Sequence, residues 1–484
     1  METGTLAEAE GHLFAARYQE AADCYQKLLV HEPTAAAAYD GLVRALLGNY
    51  QAEKAYAAAE AGARAAPDAA AVWTAQGRVA FRQGKLGVAQ ACYRKALAVD
   101  KKYPGAIAGL ADIFGSTSNF KRAETLANAA LALSPGDPDL VLSPWRSSSP
   151  EDHKKDLRAA LSILDPETER GSDVKAHLAR DLALKGRKLR LINAVDATEI
   201  KLSRIMDGPN RTIGVGVQVR LNNKQSLLLK LDTGAGGIAI SPQAAKRAGL
   251  EQLSEEGSDI HGIGDKSPQQ NLYYLADRFR VGGLEWENVP IATFRGAKQS
   301  DTDGLIGTDI FERFRIEIDF AGSLMRLQRT RPEGEAHQLL DAAEKPEGFT
   351  QVIRLRHMLL IATSVNDGPS QLFLIDSGSM VNLVNIQAAR ESTKVHQEAR
   401  IRLKGIQGEV KDVHSAEKAT LTFAGFRQEN RELTAIDLHN LSDRAGLEVS
   451  GILGMPVLWQ MRMTIDYASG SVKFEQRPQF LSRP

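Results

Sequence analysis

The chain contains 484 residues, of which 43% are hydrophobic, and its 60 lysine and arginine residues balance its 60 aspartate and glutamate residues. This length predicts two or more domains with an ample core. Balanced charge gives no global field that would favour nucleic acid or an anionic membrane surface, so no nucleic-acid partner is expected. No run of about 18 apolar residues occurs, so no transmembrane segment is expected.

The N-terminal sequence METGTLAEAEGHLFAARYQE has neither the basic start nor the apolar core of a secretory signal. The chain as written is therefore expected in the cytoplasm, and a true start further upstream would leave a periplasmic or secreted location open. Cys24 and Cys92 lie 68 residues apart. They are expected at equivalent helix positions, too far apart to form a disulfide.

Residues 1–142 are rich in alanine and repeat with a period of 34. The period shows in recurring alanines and in the repeat ends, namely Ala21, Ala55, Ala89 and Ala123, and Pro33, Pro67, Lys101 and Pro135. The stretch from Tyr18 to Pro33 and its copy from Cys92 to Asp100 resemble the second helix of tetratricopeptide repeats. Ala59 and Gly62 depart from that pattern. We expect a solenoid of about four repeats whose concave face binds protein partners.

Residues 143–198 are predicted to form a helical linker or cap. A Ser- and Pro-rich stretch opens this segment, and Ser149 is placed to cap a helix that has Pro150 at its first position. A second helix is predicted from Ser172 to about Gly186. This pair would separate the solenoid from the next domain.

Short strand-like runs replace helical periodicity after about residue 198, and they are arranged in two similar halves. The first half is predicted at 199–331 and the second at 346–478, with the charged stretch 331–345 as a linker. Asn222-Asn223 and Asn366-Asp367 are turn signals at the same place in each half. Both halves also close alike, with GLIG at 304–307 and GILG at 451–454.

A tripeptide of the form Asp-Thr/Ser-Gly occurs in both halves at an offset of 144. Asp232-Thr233-Gly234 follows the apolar run LLLKL, and Asp376-Ser377-Gly378 follows LFLI. Two carboxylates held together cannot both ionise easily, so they share one proton and act as acid and base together. The glycines allow the two loops to approach closely, and the Thr233 and Ser377 hydroxyls can hydrogen-bond across to fix the carboxylates.

This pattern of strand, Asp-Thr/Ser-Gly and a later hydrophobic-hydrophobic-Gly resembles the aspartic proteases of the pepsin and retropepsin type. The resemblance implies a multidomain α + β chain, with an α-solenoid followed by a bilobal, mostly β aspartic protease fold. It implies that Asp232 and Asp376 are the catalytic dyad and that Thr233, Gly234, Ser377 and Gly378 support it. Retropepsins assemble two identical chains, whereas this chain carries both halves, so we expect a monomer with an intrachain pseudo-dimeric protease.

The family's glycine-rich flaps have two candidates in this chain, each about 30 residues after its aspartate. The first contains Gly262, Ile263 and Gly264, and the second contains Gly405 and Gly408. A flap of this kind closes over the substrate and excludes water. Since HExxH, paired CxxC and GxSxG motifs are absent from the sequence, no metal ion or other cofactor is expected. The ten scattered histidines are expected in surface or packing roles.

Three functional hypotheses remain open from the sequence. In the first, the chain is an active aspartic endopeptidase whose repeats recruit protein substrates or partners. In the second, it is a non-catalytic peptide-binding scaffold that retains a protease-like fold. In the third, the β-rich halves pair between chains, which would give a dimer with two mixed sites. Intact aspartates, glycines and hydroxyl residues in both motifs favour the first hypothesis.

Overall fold

The computed structural model describes residues 5–146, 149–193, 195–209, 211–255, 257, 259–260, 262–264, 269–293, 301–330, 345–397 and 402–477. Almost all of the charged linker predicted at 331–345 lies outside these residues. The chain divides into two compact units, of which the first contains the residues up to Leu182 and the second begins at Ala183. No helix in the described ranges is long and apolar enough to cross a membrane.

The first unit is helical. Its described helices are α1 (Leu6–Phe14), α2 (Tyr18–His31), α3 (Ala36–Gly48), α4 (Ala52–Ala65), α5 (Ala70–Arg82), α6 (Leu86–Val99), α7 (Pro104–Ser116), α8 (Phe120–Leu133), α9 (Pro138–Val141), α10 (Pro150–Leu161) and α11 (Glu169–Ala183). Helices α2, α4, α6 and α8 begin 34 residues apart and have equal lengths, and the same holds for α3, α5 and α7. The predicted period is therefore confirmed as four helix pairs followed by the short helix α9.

Complementary side-chain sizes explain why the repeat signature departs from its usual residues. Tyr25 on α2 packs against Gly41 on α3, and Tyr93 on α6 packs in the same way against Gly109 on α7. The interface between α4 and α5, which lies between these two in the array, has Ala59 and Ala75 at the equivalent positions, and both are buried. A large residue on one helix is thus matched by a glycine on the next, and two alanines fill the middle interface.

The inner face of the helical array is engaged by the chain's own residues. Helix α3 packs on both α1 and α5, and α5 also packs on α7, so the odd-numbered helices line this face. Arg44, Arg78 and Asp112 lie 34 residues apart on it. Arg44 binds Asp137 at 2.8 Å, and Asp112 accepts a 2.8 Å hydrogen bond from the Trp145 indole. The segment that follows the last repeat therefore covers this face.

The predicted cap is helical, although its second helix is shifted. The Ser149 hydroxyl caps α10 by accepting from the Asp152 N–H, and Pro150 occupies the first turn, as expected. Helix α11 runs from Glu169 to Ala183, three residues earlier than predicted at both ends. The loop between α10 and α11 returns to the first repeat, where the Asp165 N–H donates to the Ala15 carbonyl. The cap helices thus pack on the start of the array.

The second unit contains two β-rich lobes. Lobe 1 is formed by β1 (Arg190–Leu191), β2 (Ala197–Met206), β3 (Thr212–Leu221), β4 (Gln225–Asp232), β5 (Ile238–Ile240), α12 (Pro242–Ala248), β6 (Glu251–Gln252), β7 (Asp259–Ile260), β8 (Gln269–Gln270), β9 (Leu272–Val281), β10 (Leu284–Thr293), β11 (Gly304–Gly307), a 3-10 helix (Thr308–Phe311), β12 (Phe314–Asp319) and β13 (Leu324–Arg329). Strand β1 pairs with β10, so this lobe begins before the predicted residue 199.

Lobe 2 repeats this order of elements. It is formed by β14 (Thr350–Gln351), β15 (Ile353–Leu355), β16 (Met358–Val365), β17 (Gln371–Ile375), β18 (Leu383–Asn385), α13 (Ile386–Ser392), β19 (Val395–His396), β20 (Lys404–Gly405), β21 (Gly408–Glu409), β22 (His414–Phe423), β23 (Phe426–Ile436), α14 (His439–Ala445), β24 (Gly451–Leu453), α15 (Met455–Leu458), β25 (Met461–Asp466) and β26 (Ser471–Gln476).

Each lobe closes into a barrel with the same strand order. In lobe 1 the order is β3-β4-β11-β5-β10-β9, and pairing of β9 with β3 closes it; in lobe 2 it is β16-β17-β24-β18-β23-β22, closed by β22 with β16. Alternating apolar residues explain the closure, since Val215, Val217 and Val219 of β3 all point into the core. The duplication predicted from the sequence is therefore a duplication of the fold.

Equivalent turns lead into both motif strands. Asn222 and Asn223 in lobe 1, and Asn366 and Asp367 in lobe 2, all adopt positive φ values, which asparagine and aspartate tolerate better than most residues. The Asn222 side chain accepts from the Arg278 N–H, and that of Asn366 accepts from the Thr420 N–H. These bonds attach each turn to the second hairpin of its barrel.

An antiparallel sheet joins the two lobes. Its order is β14-β26-β25-β12-β13-β2, and β12 of lobe 1 pairs directly with β25 of lobe 2 from Arg315 opposite Asp466 to Asp319 opposite Arg462. Large buried side chains from both lobes, among them Phe314, Phe320 and Tyr467, belong to one continuous core. The two barrels are therefore held together by backbone pairing and by shared apolar burial.

The size matching in the repeats gives a stability prediction. A Cβ added at Gly109 would lie 2.5 Å from Tyr93 Cε1, so Gly109→Ala is expected to destabilise the helical unit by about 1–3 kcal/mol despite the better helix propensity of alanine. Exposed Gly87 on α6 has no neighbouring atom within 4 Å of such a Cβ. Gly87→Ala should leave the urea unfolding midpoint unchanged or raise it. Equal midpoints for the two variants would contradict the proposed packing.

Candidate active site

Both aspartates are delivered by the same local topology. Strand β4 lies between its hairpin partner β3 and the parallel strand β11, and it ends at Asp232 opposite Gly307. In lobe 2, β17 lies between β16 and β24, and Asp376 follows its last residue. Backbone pairing on both sides fixes the direction of each strand. Each carboxylate therefore emerges at a rigid strand end, and the two ends face each other.

The residues after the aspartates tie the two loops together. The Thr233 hydroxyl accepts from the Ser377 N–H at 2.9 Å and donates to the Ile375 carbonyl at 2.8 Å. The Ser377 hydroxyl reciprocates by accepting from the Thr233 N–H at 3.1 Å and donating to the Leu231 carbonyl at 2.9 Å. Both side chains are wholly buried. The cross-lobe hydrogen bonds expected of these hydroxyls are present.

The two glycines allow the carboxylates to come together. A Cβ on Gly234 would lie 2.7 Å from Asp376 Cγ, and one on Gly378 would lie 2.6 Å from Asp232 Cγ. Each glycine also donates its N–H to the aspartate of its own loop, at 2.9 Å to Asp232 and 2.7 Å to Asp376. Any side chain at these positions would therefore separate the pair.

Asp232 and Asp376 interact strongly enough to change the protonation of the pair. Burial, together with the neighbouring charge of Asp232 and a hydrogen bond to it, raises the pKa of Asp376 to about 8. Lys230 and the Gly378 N–H act in the opposite direction. The two carboxyls therefore do not both ionise readily at neutral pH, and the pair is expected to share one proton.

A histidine that was not predicted as a site residue lies beside the motif loop of lobe 1. His357, at the turn between β15 and β16, hydrogen-bonds the backbone of Gly234, and its pKa is lowered by burial despite the charges of Asp309 and Asp232. Asp309 accepts from the Gly237 N–H at 2.9 Å. The histidines were expected in surface or packing roles, and His357 lies against the Asp232 loop from the other lobe, a position that no local motif marks.

Both predicted flap segments are short hairpins, and their tips meet. The first lies between β7 and β8 and the second between β20 and β21. The Gln407 N–H donates to the Ile263 carbonyl at 3.0 Å, and the Gln407 side chain accepts from the Gly262 N–H at 2.9 Å. His261 of the first candidate stretch lies outside the described residues.

Close packing at the tips uses the predicted glycines. A Cβ on Gly405 would lie 2.9 Å from Ile263 Cβ. Gly408 adopts a φ of 92°, and Gly264 a φ of 133°, conformations that favour glycine. Ile406 from the lobe 2 hairpin packs in an apolar cluster with Ala235, which follows the lobe 1 motif. The second hairpin therefore reaches the neighbourhood of the Asp232 loop.

Parts of the chain are similar to known proteins. Residues 217–310 match a family model described as aspartyl protease. Among solved structures, the aspartic proteinase from Irpex lacteus is similar at 12% identity and a TM-score of 0.38, over 59% of this chain and 99% of that chain. The APC/C hetero-tetramer Cut9–Hcn1 is similar at 16% identity and a TM-score of 0.29, over 36% of this chain and 42% of that chain. No curated protein matches the chain.

The class of the second unit follows from the fold, the paired motifs and the family match. It is an aspartic protease-like domain with both lobes in one chain, and the resemblance predicted from the Asp-Thr/Ser-Gly motifs is confirmed. The first unit is an α-solenoid with the 34-residue period of tetratricopeptide repeats. In the described ranges, no group of three or more His, Cys, Asp or Glu residues could hold a metal ion.

The reciprocal hydroxyl bonds can be tested by substituting Thr233. Thr233→Val preserves the shape of the side chain but leaves the buried Ser377 N–H and Ile375 carbonyl without their partner, which should cost about 1–3 kcal/mol. Thr233→Ser keeps the hydroxyl and is the matched control. Urea unfolding should show a clearly lower midpoint for the valine variant than for the serine variant. If the serine variant is equally destabilised, loss of the methyl group rather than of the hydrogen bonds is responsible.

The raised pKa of Asp376 predicts how stability depends on pH. The native state holds this proton more tightly than the unfolded chain, whose aspartate has a pKa near 3.8. The resulting stabilisation is fully present below about pH 4 and is lost as pH rises towards about 8. Asp376→Asn should therefore flatten the fall in urea midpoint between these values.

An exposed aspartate on β9, Asp277, supplies the control for that measurement. Asp277→Asn should retain the slope of the native protein because its side chain is not part of the buried pair. Parallel pH curves for native protein, Asp277→Asn and Asp376→Asn would show that the Asp376 carboxyl is not protonated over this range.

Proposed function

We propose that the protein is an aspartic endopeptidase that hydrolyses peptide bonds with a water molecule activated between Asp232 and Asp376. The observation that carries the proposal is the hydrogen bond between these two carboxyls across the lobes, with the pKa of Asp376 raised to about 8. A shared proton is what general acid–base hydrolysis by two carboxyls requires. Thr233, Gly234, Ser377 and Gly378 support the dyad by fixing its loops.

The one shared proton gives the two carboxyls different roles in the proposed reaction. The ionised carboxyl accepts a proton from the water as the water oxygen attacks the peptide carbonyl carbon. The protonated carboxyl donates its proton to the carbonyl oxygen, which gives a neutral tetrahedral diol. Collapse of the diol breaks the C–N bond, transfers a proton to the departing amine, and leaves one proton on the pair. Protons and electrons balance over this cycle without a covalent enzyme intermediate.

The flap contacts support a cleft that can be closed over a substrate. Backbone and side-chain bonds of Gln407 join the two tips, and Ile406 packs beside the Asp232 loop. A substrate would enter by parting these contacts between the two hairpins. Closed flaps would exclude water from the dyad and disfavour its doubly ionised form.

The proposal includes recruitment of protein substrates or partners by the repeats. The segment after α8 limits the surface available for this role, since its Asp137 and Trp145 already engage Arg44 and Asp112 on the inner face. A recruited segment would either displace these residues or bind another part of the helical unit. Comparing cleavage of short peptides with cleavage of folded proteins separates recruitment from catalysis.

The decisive experiment is digestion of a diverse peptide mixture by the full-length protein, read by mass spectrometry with and without pepstatin. Asp232→Asn and Asp376→Asn should each lower kcat/KM by about a thousandfold or more, because one site needs both carboxyls. Asp277→Asn should retain native activity. The rate should also fall as pH rises through about 8, where the second carboxyl loses its proton.

Two further outcomes of this assay would point to the other hypotheses. Specific peptide binding without any cleavage by the native protein between acid and mildly alkaline pH would favour the scaffold. Recovery of activity on mixing the two inactive variants would favour sites shared between chains. Under the proposal, the mixture stays inactive, because both carboxyls of a site belong to one chain.

A further inference from the structure

A lysine lies in the motif strand of lobe 1, two residues before Asp232. The strand reads Leu-Leu-Leu-Lys-Leu-Asp, so Lys230 interrupts an otherwise apolar run. It is only 5% exposed. A buried ammonium is costly unless anions or hydrogen-bond acceptors surround it, so this residue requires a local explanation.

The lysine side chain crosses from lobe 1 to the motif loop of lobe 2. Its Nζ donates to the Gly378 carbonyl at 2.8 Å. The N–H of the same glycine donates to Asp376 at 2.7 Å. Lys230 is therefore attached to the loop that carries Asp376, and its charge favours the ionised form of that carboxyl.

The equivalent position in lobe 2 has no charge. Lys230 is paired with Gly216 between β4 and β3, and the corresponding pair between β17 and β16 is Leu374 with Leu360. Gly214 also makes space for the lysine, since a Cβ there would lie 3.1 Å from Lys230 Cε. One lobe thus has small residues and a cation where the other has ordinary leucine packing.

We propose, on the basis of the proposed peptidase function, that Lys230 is a positioning residue that holds a fixed positive charge beside Asp376 and thereby sets the pH range in which the dyad shares one proton. It does not contact the reacting atoms through any observed bond. Its effect is electrostatic and acts on both ionisation steps of the pair. Removing the charge makes each ionisation harder, so both limbs of the pH–rate bell should move to higher pH.

Other groups around the dyad do not replace this charge. On the lobe 1 side, burial lowers the pKa of His357, so the imidazole is neutral at neutral pH. Asp309 lies beside that histidine and accepts from the Gly237 N–H, and it adds no positive charge. The Gly234 and Gly378 N–H groups are dipoles bound to the aspartates. Arg356 and Arg354 act on His357 and Asp309, whereas Lys230 supplies the positive charge that acts on Asp376.

Three substitutions separate the charge of Lys230 from its packing and its hydrogen bond. Lys230→Gln keeps an N–H donor for the Gly378 carbonyl, Lys230→Met keeps most of the volume, and Lys230→Arg keeps the charge. Leu374→Met, at the equivalent position of lobe 2, is the matched control. The pH dependence of kcat/KM on one peptide is measured for each variant, together with its unfolding midpoint.

Both limbs of the bell should move to higher pH by about one unit in Lys230→Gln and Lys230→Met, the size expected for loss of a nearby opposite charge. Lys230→Arg and Leu374→Met should keep the native profile. A purely structural lysine would lower stability or activity at all pH values without moving the limbs. Folded glutamine and methionine variants with the native pH profile would overturn the proposal.

A second measurement on the native protein does not require activity. The protein labelled with ¹³C at aspartate Cγ and lysine Cε is titrated by NMR, and loss of signals in Asp376→Asn and Lys230→Arg assigns the two groups. We expect an ammonium at Lys230 throughout the titration of Asp376. A neutral amine in that range would overturn the proposal, whereas absent peptide cleavage alone would reject the peptidase function and leave this electrostatic test decisive.

Discussion

The second unit depends on the hydrogen bonds that Thr233 and Ser377 exchange across the lobes. Both hydroxyls are wholly buried, and each one serves the backbone of the opposite loop. Separating the lobes would leave buried polar groups without partners, which is more costly than the modest gain from any one bond suggests. These bonds hold two carboxyls together, although their mutual repulsion and burial oppose it, as the raised pKa of Asp376 records. Favourable polar contacts directly beneath the dyad thus compensate for an unfavourable arrangement at the dyad itself.

The surrounding fold makes that arrangement rigid. Each motif strand is paired on both sides inside a closed barrel, so neither aspartate can retreat along its own strand. The sheet that joins the lobes pairs β12 with β25 and fixes the distance between the barrels. The glycines then remove the last steric obstacle, because a Cβ at Gly234 or Gly378 would overlap the opposite carboxyl. The barrels, the joining sheet and the glycines constrain the two carboxyls over successively shorter distances. Each is needed because the preceding constraint alone would still let the carboxyls move apart.

Periodic features could be predicted from the sequence, whereas features that depend on one partner across a lobe or helix interface could not. The 34-residue period gave the helix pairs, and the 144-residue offset gave both aspartates, both hydroxyl residues and the equivalent asparagine turns. Helix α11 begins three residues earlier than predicted because Thr168 caps it, with its hydroxyl accepting from the Gly171 N–H at 3.1 Å, whereas the predicted start was Ser172. Lys230 and His357 carry no local motif, and their significance comes from the Gly378 carbonyl and the Gly234 loop of the opposite lobe. The exchange of Tyr and Gly for two alanines in the repeats is likewise visible only once the facing helix is known.

Duplication produces two equivalent carboxyls, but acid–base hydrolysis requires them to behave differently at any instant. Perfectly symmetric lobes would leave the shared proton with no preferred oxygen until a substrate imposed one. Here the backbone of the two lobes is closely duplicated, but the side chains around the two carboxyls differ. Lys230 occupies the strand position that Leu374 occupies in lobe 2, and His357 contacts the Asp232 loop. Burial and the Asp232 charge raise the pKa of Asp376, whereas the charge of Lys230 acts in the opposite direction and has no counterpart at Leu374. Fusion of both halves in one chain makes this possible, because a dimer of identical chains would carry every such substitution on both sides.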